Sequence, residues 1–577
     1  MCGIAGILHP NEHPSAKTVL EMTRSLSHRG PDGEGYYTAP GITLGHCRLA
    51  ILDLTLAGRQ PMTSQDGRYT LVFNGEIFNF LELKAELGGE FRSQSDTEVL
   101  LEACARWGVE RTVGRTIGMF AFALWDGARR TLTLARDRVG EKPLVYFWDG
   151  VTLAFASELR ALAPFHGLRL DPAAVDAYFA LGYVPAPLSI FRNTRKLEAG
   201  HLLEYRAGNL RERRWWQPEL AAPPVRLPRE ARIEQLRELV ADAVHLRLRS
   251  DVPVAVSLSG GVDSSVIAAE CARQGADLEA YTVELDGDRT DAPFATAAAR
   301  HLGLRHRVVE ARSAEAAEQL KDTCTRYDEP FGDSSALPSL ALARALGERY
   351  KVVLTGDGGD EAFAGYRHYE HIRAKQFLKA AAARAGWGDG EGRIGVYVQS
   401  KAIFPRSGRG RLLREHWQGD TLSYLLNADE YLRRASGGAL KQALWSDRHL
   451  YLANDLTYKS DIAFSAYSVE GRAPLLDHRI LEWAQQLEER DLVRGREKKV
   501  LLREAYRDLL PPEILNRSKH GFGAPMRAWL GGPLQQLRQQ LLPCPLLEPG
   551  PQKRLSGQKL WTLLAFAEWA RARKANW

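Results

Sequence analysis

The chain has 577 residues, 45% hydrophobic and 26% charged, with Lys+Arg 77 against Asp+Glu 71 for a net charge of +6. Such a length exceeds one hydrophobic core and predicts two or more domains. The small basic surplus is spread without a long basic block, which excludes a nucleic-acid footprint, and no apolar run is long enough for a membrane span. The six cysteines lie far apart with no CxxC pair, against both a zinc site and a disulfide framework. The first residues lack a secretory pattern, so the expectation is a cytoplasmic enzyme.

The chain opens Met1-Cys2-Gly3-Ile4-Ala5-Gly6-Ile7. With Met1 removed, Cys2 carries a thiol and a free α-amine, and an amine of pKa about 8 can accept the thiol proton near neutral pH. Ser27 to Gly33 is a polar turn, and Gly45 to Asp53 reads as a strand carrying one arginine, Arg48. Leu71 to Ile77 reads as another strand, interrupted by Asn74-Gly75, and Ser95-Asp96-Thr97-Glu98 opens an amphipathic helix. Taken singly, Asn74-Gly75 is a hairpin turn and Asp96 a helix cap. Together with Cys2 they resemble the class II, N-terminal-nucleophile glutamine amidotransferase domain over roughly residues 1 to 200, and the domain is drawn as 1–216.

That resemblance implies an αββα sandwich of two antiparallel sheets between helix layers. It implies that Cys2 attacks the glutamine side-chain amide, with Asn74 and the N–H of Gly75 as the oxyanion hole. Arg48, Glu76 and Asp96 would hold the α-carboxylate and α-amine of glutamine, and the backbone at Leu49, Ala50, Ile51 and Leu52 would line the pocket. Further strands are predicted over 120–125, 131–136 and 153–159. Arg136 to Leu144 (Arg136-Asp137-Arg138-Val139-Gly140-Glu141-Lys142-Pro143-Leu144) resembles a signature segment of glutamine-dependent asparagine synthetases. It is read as structural, at the interface of the two domains. His28 and His46 are read as hydrogen-bonded scaffold, because the N-terminal amine already supplies the base.

Gln217 to Arg229 holds Pro218, Pro223, Pro224 and Pro228 without apolar periodicity and marks a linker, leaving 230–577 as the second domain. A helix is predicted over 230–249. The apolar run Val254-Ala255-Val256 then leads into Ser259-Gly260-Gly261-Val262-Asp263-Ser264-Ser265 and a helix-compatible segment over 266–273. A buried strand feeding a helix through glycines aims backbone N–H groups and the positive helix end at whatever sits in the turn. No Gly-Lys-Ser/Thr follows, so this is not a Walker loop. Asp263 would repel a phosphate there unless a divalent cation lay between them. The stretch resembles the pyrophosphate loop of ATP pyrophosphatases, which cleave ATP between its α and β phosphates.

Strands at 278–285, 305–310 and 351–354 alternate with helices at 292–302 and 339–349, which predicts a doubly wound parallel sheet, with added helices, binding ligands at its carboxyl ends. The last strand ends in Thr355-Gly356-Asp357-Gly358-Gly359-Asp360-Glu361, an acidic glycine turn whose carboxylates need a cation among them. Asp263 and Asp360 are therefore the expected Mg2+ ligands, bridging to the pyrophosphate of ATP. Ser259, Gly260, Gly261, Ser264 and Ser265 would cradle the phosphates. By resemblance, Leu258, Val283, Thr355 and Gly356 contact the nucleotide. Asp357 stands where the family forms its acyl-adenylate, often with Glu. Lys499, beside Lys498, aligns with the lysine that neutralises charge as AMP and pyrophosphate separate. Lys459-Ser460-Asp461, Val469 to Asp477 and Glu497 to Arg503 also match the family pattern, and Arg517 to Phe522 resembles its substrate-side loop. Residues 372–450 read as mostly helical, without a motif.

Two sites in one chain imply ammonia passing between them, and the leading reading is a glutamine-hydrolysing asparagine synthetase that releases AMP and pyrophosphate. The acceptor is less determined. Tyr327 to Ser335 carries acidic and apolar residues where one branch of the family places threonines and an arginine for aspartate. Another carboxylate, a uronic acid sugar or a peptide or natural-product acid, stays open. Ring closure by an internal amine, as in β-lactam synthetases or lasso-peptide cyclases, is opposed by Cys2 with Arg48, Asn74 and Asp96. A regulatory or binding protein with an inactive synthetase domain is opposed by Asp263, Asp360 and Lys499. The expected partners are L-glutamine and a carboxylate acceptor, without nucleic acid or membrane, and a homodimer stays open.

Overall fold

The computed structural model describes all residues except 13, 218–224, 286–290, 370–400, 419–437, 519–522, 543, 553 and 575–577. Much of the linker, most of the 372–450 region and the end of the substrate-side loop (519–522) lie outside the described residues. Strands β1 (Gly3–Leu8), β2 (Gly33–Ala39), β3 (Ile42–Arg48), β4 (Met62–Thr63), β5 (Tyr69–Ile77), β6 (Gly118–Asp126), β7 (Thr131–Arg136), β8 (Val145–Trp148), β9 (Leu153–Ala156), β10 (Thr194–Lys196), β11 (His201–Arg206) and β12 (Asn209–Arg214) build the N-terminal part. They form two antiparallel sheets, ordered β10-β8-β9-β1-β3-β2 and β12-β11-β7-β6-β5-β4.

Side chains alternate across a strand, and that alternation sorts the layers. Ile4 and Leu8 of β1 turn inward with Leu44, against Val72 of β5 and Ala121, Ala123 and Trp125 of β6. Ala5 and Ile7 turn outward onto Val19 and Met22 of the helix Ala16–Arg24. On the second sheet, Leu71 and Phe73 turn outward onto Val99 and Leu100 of the helix Asp96–Trp107. The layers are therefore helix, sheet, sheet, helix, the predicted αββα sandwich.

Two local expectations change. β5 runs unbroken through Asn74 and Gly75, which pair with Ala121 and Phe120 of β6, so the Asn-Gly pair makes no interruption. The glycine is there because β6 lies too close for a side chain: a Cβ on Gly75 would stand 2.1 Å from the Met119 carbonyl oxygen. The strand predicted over 45–53 ends at Arg48, and the next residues form a loop.

In the second half, β13 (Val254–Ser257), β14 (Glu279–Leu285), β15 (Arg305–Ala311), β16 (Val352–Leu354) and β17 (Glu470–Arg472) form a parallel sheet ordered β15-β14-β13-β16-β17. The chain winds outward from β13 to β15 and then returns to lay β16 on the other side of β13. The crevice between β13 and β16 is thus the switch point at which such sheets hold ligands. Helices Val262–Arg273, Ala292–His301 and Ala336–Gly347 cover the sheet, close to the predicted ranges. β17 was not predicted, because Glu-Gly-Arg carries no strand signal; it forms by pairing with β16. No described helix is long and apolar enough to cross a membrane.

The two halves meet over buried charge. Arg29 is fully buried and donates to Glu158 Oε1 at 2.7 Å, Asp461 Oδ2 at 2.8 Å, Ser465 Oγ at 3.1 Å and the Cys2 carbonyl at 3.0 Å. Lys142 Nζ lies 3.4 Å from the other oxygen of Asp461. Segment 136–144 is folded around Asp137, whose carboxylate accepts N–H bonds from Phe120, Val139, Glu141 and Lys142. It lies at the interface, as expected, with Thr457 Oγ1 donating to the Gly140 carbonyl at 3.0 Å. Glu141 is buried in the same seam, and burial, reinforced by Asp137, pushes its carboxyl up to about 8.

Replacing Arg29 with Met takes the shared cation from two buried carboxylates, leaving Asp461 to Lys142 and Glu158 to His28 and Arg160, and is expected to cost about 3 kcal/mol of stability in urea unfolding. A loss near zero would show that Glu158 and Asp461 do not depend on it. Glu141 gives a pH signature. Its folded pKa lies above the ordinary 4.5, so its contribution to stability is full below that value and is lost as pH rises to about 8. Glu141→Gln should therefore match the wild type near pH 5 and become increasingly the more stable of the two toward pH 8, read from unfolding midpoints across that window.

Candidate active sites

Cys2 stands immediately before β1, against β5. Its backbone N–H donates to Asn74 Oδ1 at 2.9 Å, and its Sγ lies 3.9 Å from the Leu49 carbonyl oxygen. The thiol is buried, and burial pushes its pKa up. Asn74 is fully buried, and its Nδ2 has no hydrogen-bond partner among the described residues. A buried donor left unbonded costs about 1–3 kcal/mol, and such a group marks a place where a ligand oxygen completes the bond. With Met1 present, the terminal ammonium belongs to Met1 and sits 3.2 Å from Glu470 Oε2, so the Cys2 nitrogen is a peptide nitrogen.

Both histidines have the structural settings the sequence suggests. His46 Nε2 lies 3.2 Å from the Phe73 carbonyl oxygen, and burial pushes its pKa down to about 3. His28 Nε2 lies 3.0 Å from Glu158.

Arg48 donates to the carbonyls of Thr55 at 2.8 Å, Leu52 at 3.3 Å and Asp53, so its guanidinium gathers the loop that follows β3. Arg48 and Ala50 line a cavity of about 290 Å³ together with Asp32, His46 and Gln60. Leu49, Ile51 and Leu52 turn their side chains into the cores. Glu76 and Asp96 lie outside that cavity lining and are buried. Asp96 accepts the Ile77 N–H at 2.9 Å and is raised to about 6 by burial. Glu76 is raised by burial and then by Asp96; its Oε2 accepts from Arg472 of the second domain at 3.1 Å, and its Oε1 is buried without a partner among the described residues.

A larger cavity, about 420 Å³, opens at the carboxyl ends of β13 and β16. It gathers Ser259, Gly261, Asp263 and Ser264 from one loop, Thr355, Gly356, Asp357 and Asp360 from the other, and Lys498 and Lys499. The two loops touch. A Cβ on Gly356 would stand 2.6 Å from the Ser264 nitrogen, and one on Gly359 would stand 2.4 Å from Asp263 Cγ. Lys499 Nζ pairs with Asp263 Oδ2 and lies 2.6 Å from Asp360 Oδ1. Asp263 Oδ1 is buried without a hydrogen-bond partner among the described residues. Asp357 accepts from Thr355 Oγ1 at 3.1 Å and Ser460 Oγ at 3.0 Å.

Leu258, Gly260, Ser265 and Val283 do not line this cavity. Leu258 donates its N–H to the Tyr281 carbonyl at 2.8 Å, Gly260 packs against Phe294, and Ser265 and Val283 are buried. The cavity also contains groups given no role by the sequence. Lys459 Nζ lies 3.0 Å from Asp333 and 2.8 Å from Ser335 Oγ; burial would lower its pKa, but Asp333, Asp455 and Asp357 together outweigh burial and raise it. Arg517 donates to the Ser259 carbonyl at 2.9 Å and pairs with Asp291. Their motif segments were visible in the sequence, but these pairings join distant residues and have no local pattern.

Comparison with known proteins finds two family models on successive parts of the chain. A family model described as a glutamine amidotransferase domain matches residues 1–216, and one described as asparagine synthase matches residues 235–571. Asparagine synthetase (glutamine-hydrolyzing) 1 of Bacillus subtilis (strain 168) is 30% identical, across 99% of this chain and 96% of the relative. A putative asparagine synthetase (glutamine-hydrolyzing) of Mycobacterium tuberculosis (strain ATCC 25618 / H37Rv) is 32% identical, across 92% of this chain and 88% of the relative. Amidase chyE of Penicillium rubens (strain ATCC 28089 / DSM 1075 / NRRL 1951 / Wisconsin 54-1255) is 30% identical, across 94% of this chain and 91% of the relative. Among solved structures, glutamine phosphoribosylpyrophosphate amidotransferase from B. subtilis covers 53% of this chain and 65% of its own, at 17% identity and a TM-score of 0.30. Fold, sites and relatives together define a glutamine-dependent ligase that forms amide bonds. The chain belongs to the asparagine synthase family.

Proposed function

We propose that the chain hydrolyses glutamine at Cys2 and uses the ammonia to amidate a carboxylate activated by ATP, with aspartate as the leading acceptor. The observation that carries this reading is a pair of dissimilar sites on one chain. In one, the buried thiol belongs to a residue whose N–H bonds Asn74 Oδ1, and Asn74 Nδ2 has no partner among the described residues; in the other, a Ser-Gly loop meets an acidic loop and a lysine.

In this scheme Met1 is removed, and the Cys2 nitrogen, already 2.9 Å from Asn74 Oδ1, becomes the free amine that takes the thiol proton. The thiolate attacks the glutamine amide carbon, and Asn74 Nδ2 with the Gly75 N–H stabilises the oxyanion. The protonated amine gives its proton to the departing ammonia, and water then cleaves the thioester to release glutamate. Arg48, Glu76 and Asp96 hold the α-carboxylate and α-amine of glutamine, with the backbone of 49–52 closing the pocket.

At the second site, Ser259, Gly261, Ser264 and the first N–H groups of the helix Val262–Arg273 hold the phosphates. Asp263 and Asp360 fit Mg2+: they are carboxylates from two touching loops, one with a buried oxygen lacking a hydrogen-bond partner. Mg2+ is commonly held by one or two carboxylates plus phosphate oxygens, and when bound it would neutralise phosphate charge. The acceptor carboxylate attacks the α-phosphorus, and Lys499 offsets the charge on the leaving pyrophosphate. Asp357, fixed by Thr355 and Ser460, orients the acceptor side. Ammonia, kept from bulk water in an enclosed passage, then displaces AMP to form the amide.

A second acceptor class is supported by the pairing of Lys459 with Asp333, which places acid where a second acceptor carboxylate would need a cation. Amidase relatives of equal identity point the same way. A uronic acid sugar or a peptide or natural-product acid is that second reading.

Cys2→Ala should reduce glutamine-driven synthesis at least about a thousandfold while leaving synthesis from ammonium salts. Loss of both activities in a folded protein would contradict separate sites. Asn74→Ala should lower glutaminase kcat about a hundredfold or more. AMP and pyrophosphate are the expected nucleotide products, and ADP with phosphate would refute the ATP-cleavage assignment. Screening carboxylates for glutamine-dependent AMP release, with aspartate expected to respond first, decides the acceptor.

A further inference from the structure

Lys351 lies one residue before β16, in the second domain, yet it lines the 290 Å³ cavity of the first beside Arg48 and Ala50. Its Nζ pairs with Asp32 Oδ2 at 2.7 Å and lies 3.5 Å from the Ala50 carbonyl oxygen. The same Asp32 oxygen accepts the Ala50 N–H at 2.7 Å. One carboxylate oxygen therefore joins a cation of the synthetase domain to the loop of the glutaminase domain. Ala50 follows Leu49, the residue whose carbonyl oxygen faces Cys2 Sγ.

A second tie lies on the next residues of the loop. The Asp251 N–H donates to the Ile51 carbonyl at 3.0 Å, and the Asp53 N–H donates back to Asp251 Oδ2 at 2.8 Å. Asp251 stands just ahead of β13, as Lys351 stands just ahead of β16. Loop 50–53 is thus held by residues that introduce the two central strands of the other domain's sheet.

The charges give these ties a chemical consequence. Without Lys351, Asp32 is an uncompensated carboxylate on the cavity beside Arg48, where the glutamine α-carboxylate is placed, and like charges so near oppose binding. Arg48 also spends hydrogen bonds on the carbonyls of Leu52, Asp53 and Thr55. We infer that Lys351 is a positioning residue for glutamine, through which the synthetase domain sets the charge and loop geometry of the glutaminase pocket. This rests on the glutaminase reading above. Lys351 acts through Asp32 and Ala50 and does not touch the reacting atoms. Its side chain is 36% and that of Asp32 29% exposed, so solvent screening keeps the effect moderate.

The test is steady-state glutamine hydrolysis by the full chain. Lys351→Met should raise the KM for glutamine about threefold to tenfold with kcat within about twofold, and Lys351→Arg should restore most of the loss. In an Asp32→Asn background, where the carboxylate is gone, the same Lys351→Met change should shift KM by less than about twofold. An unchanged KM in Lys351→Met, a fall confined to kcat, or an equal KM shift in the Asp32→Asn background each overturns the inference while leaving the glutaminase reading in place. A wild-type chain that releases no glutamate from glutamine overturns that reading, and this inference with it.

Discussion

A buried guanidinium needs carboxylates around it, and for Arg29 one of them comes from each domain. Glu158 belongs to the glutaminase sandwich and Asp461 to the synthetase domain, so the cation is satisfied only when the two are docked in one orientation. Each proposed site has an atom attached to this contact. Arg29 also holds the Cys2 carbonyl, and Asp461 follows Ser460, whose hydroxyl fixes Asp357. The ion pair therefore sets the position of Cys2 relative to the acidic loop, although it takes no part in the proposed chemistry of either site.

Around the larger cavity the governing fact is how closely two loops approach. Glycines at 356 and 359 let the Thr355 loop lie directly on the Ser259 loop, which brings two carboxylates to one place. Such a juxtaposition is unfavourable without positive charge, and Lys499 supplies it by reaching both. The same geometry suits the proposed nucleotide chemistry, since a lysine already poised between the carboxylates lies where phosphate charge would develop.

What the sequence revealed follows chain distance. The Ser259 to Ser265 and Thr355 to Glu361 loops were legible because each is a contiguous strand-turn segment whose residue types carry their own chemistry. The αββα sandwich was legible through resemblance and agrees with the way alternate side chains of β1 and β5 face the inter-sheet core and the helix layers. β17 was not legible, because its pairing with β16, not its Glu-Gly-Arg composition, makes it a strand. Asn74-Gly75 misled as a break because the local turn preference of Asn-Gly yields to the ladder with β6. Arg29 and Asp461 lie 432 residues apart, and Asp32 and Lys351 lie 319 apart, so no local pattern announces either pair.

β16 is only three residues long, and it has a neighbour of chemical interest at each end. Lys351 precedes it at the smaller cavity and Thr355 follows it at the larger one, a span of about 13 Å at roughly 3.3 Å per residue. A strand of this kind is a rigid ruler. Its N–H and C=O groups are engaged by β13 on one side and β17 on the other, so it does not stretch or shorten in response to ligands. Inserting or deleting one residue within it would shift the register of both cavities at once.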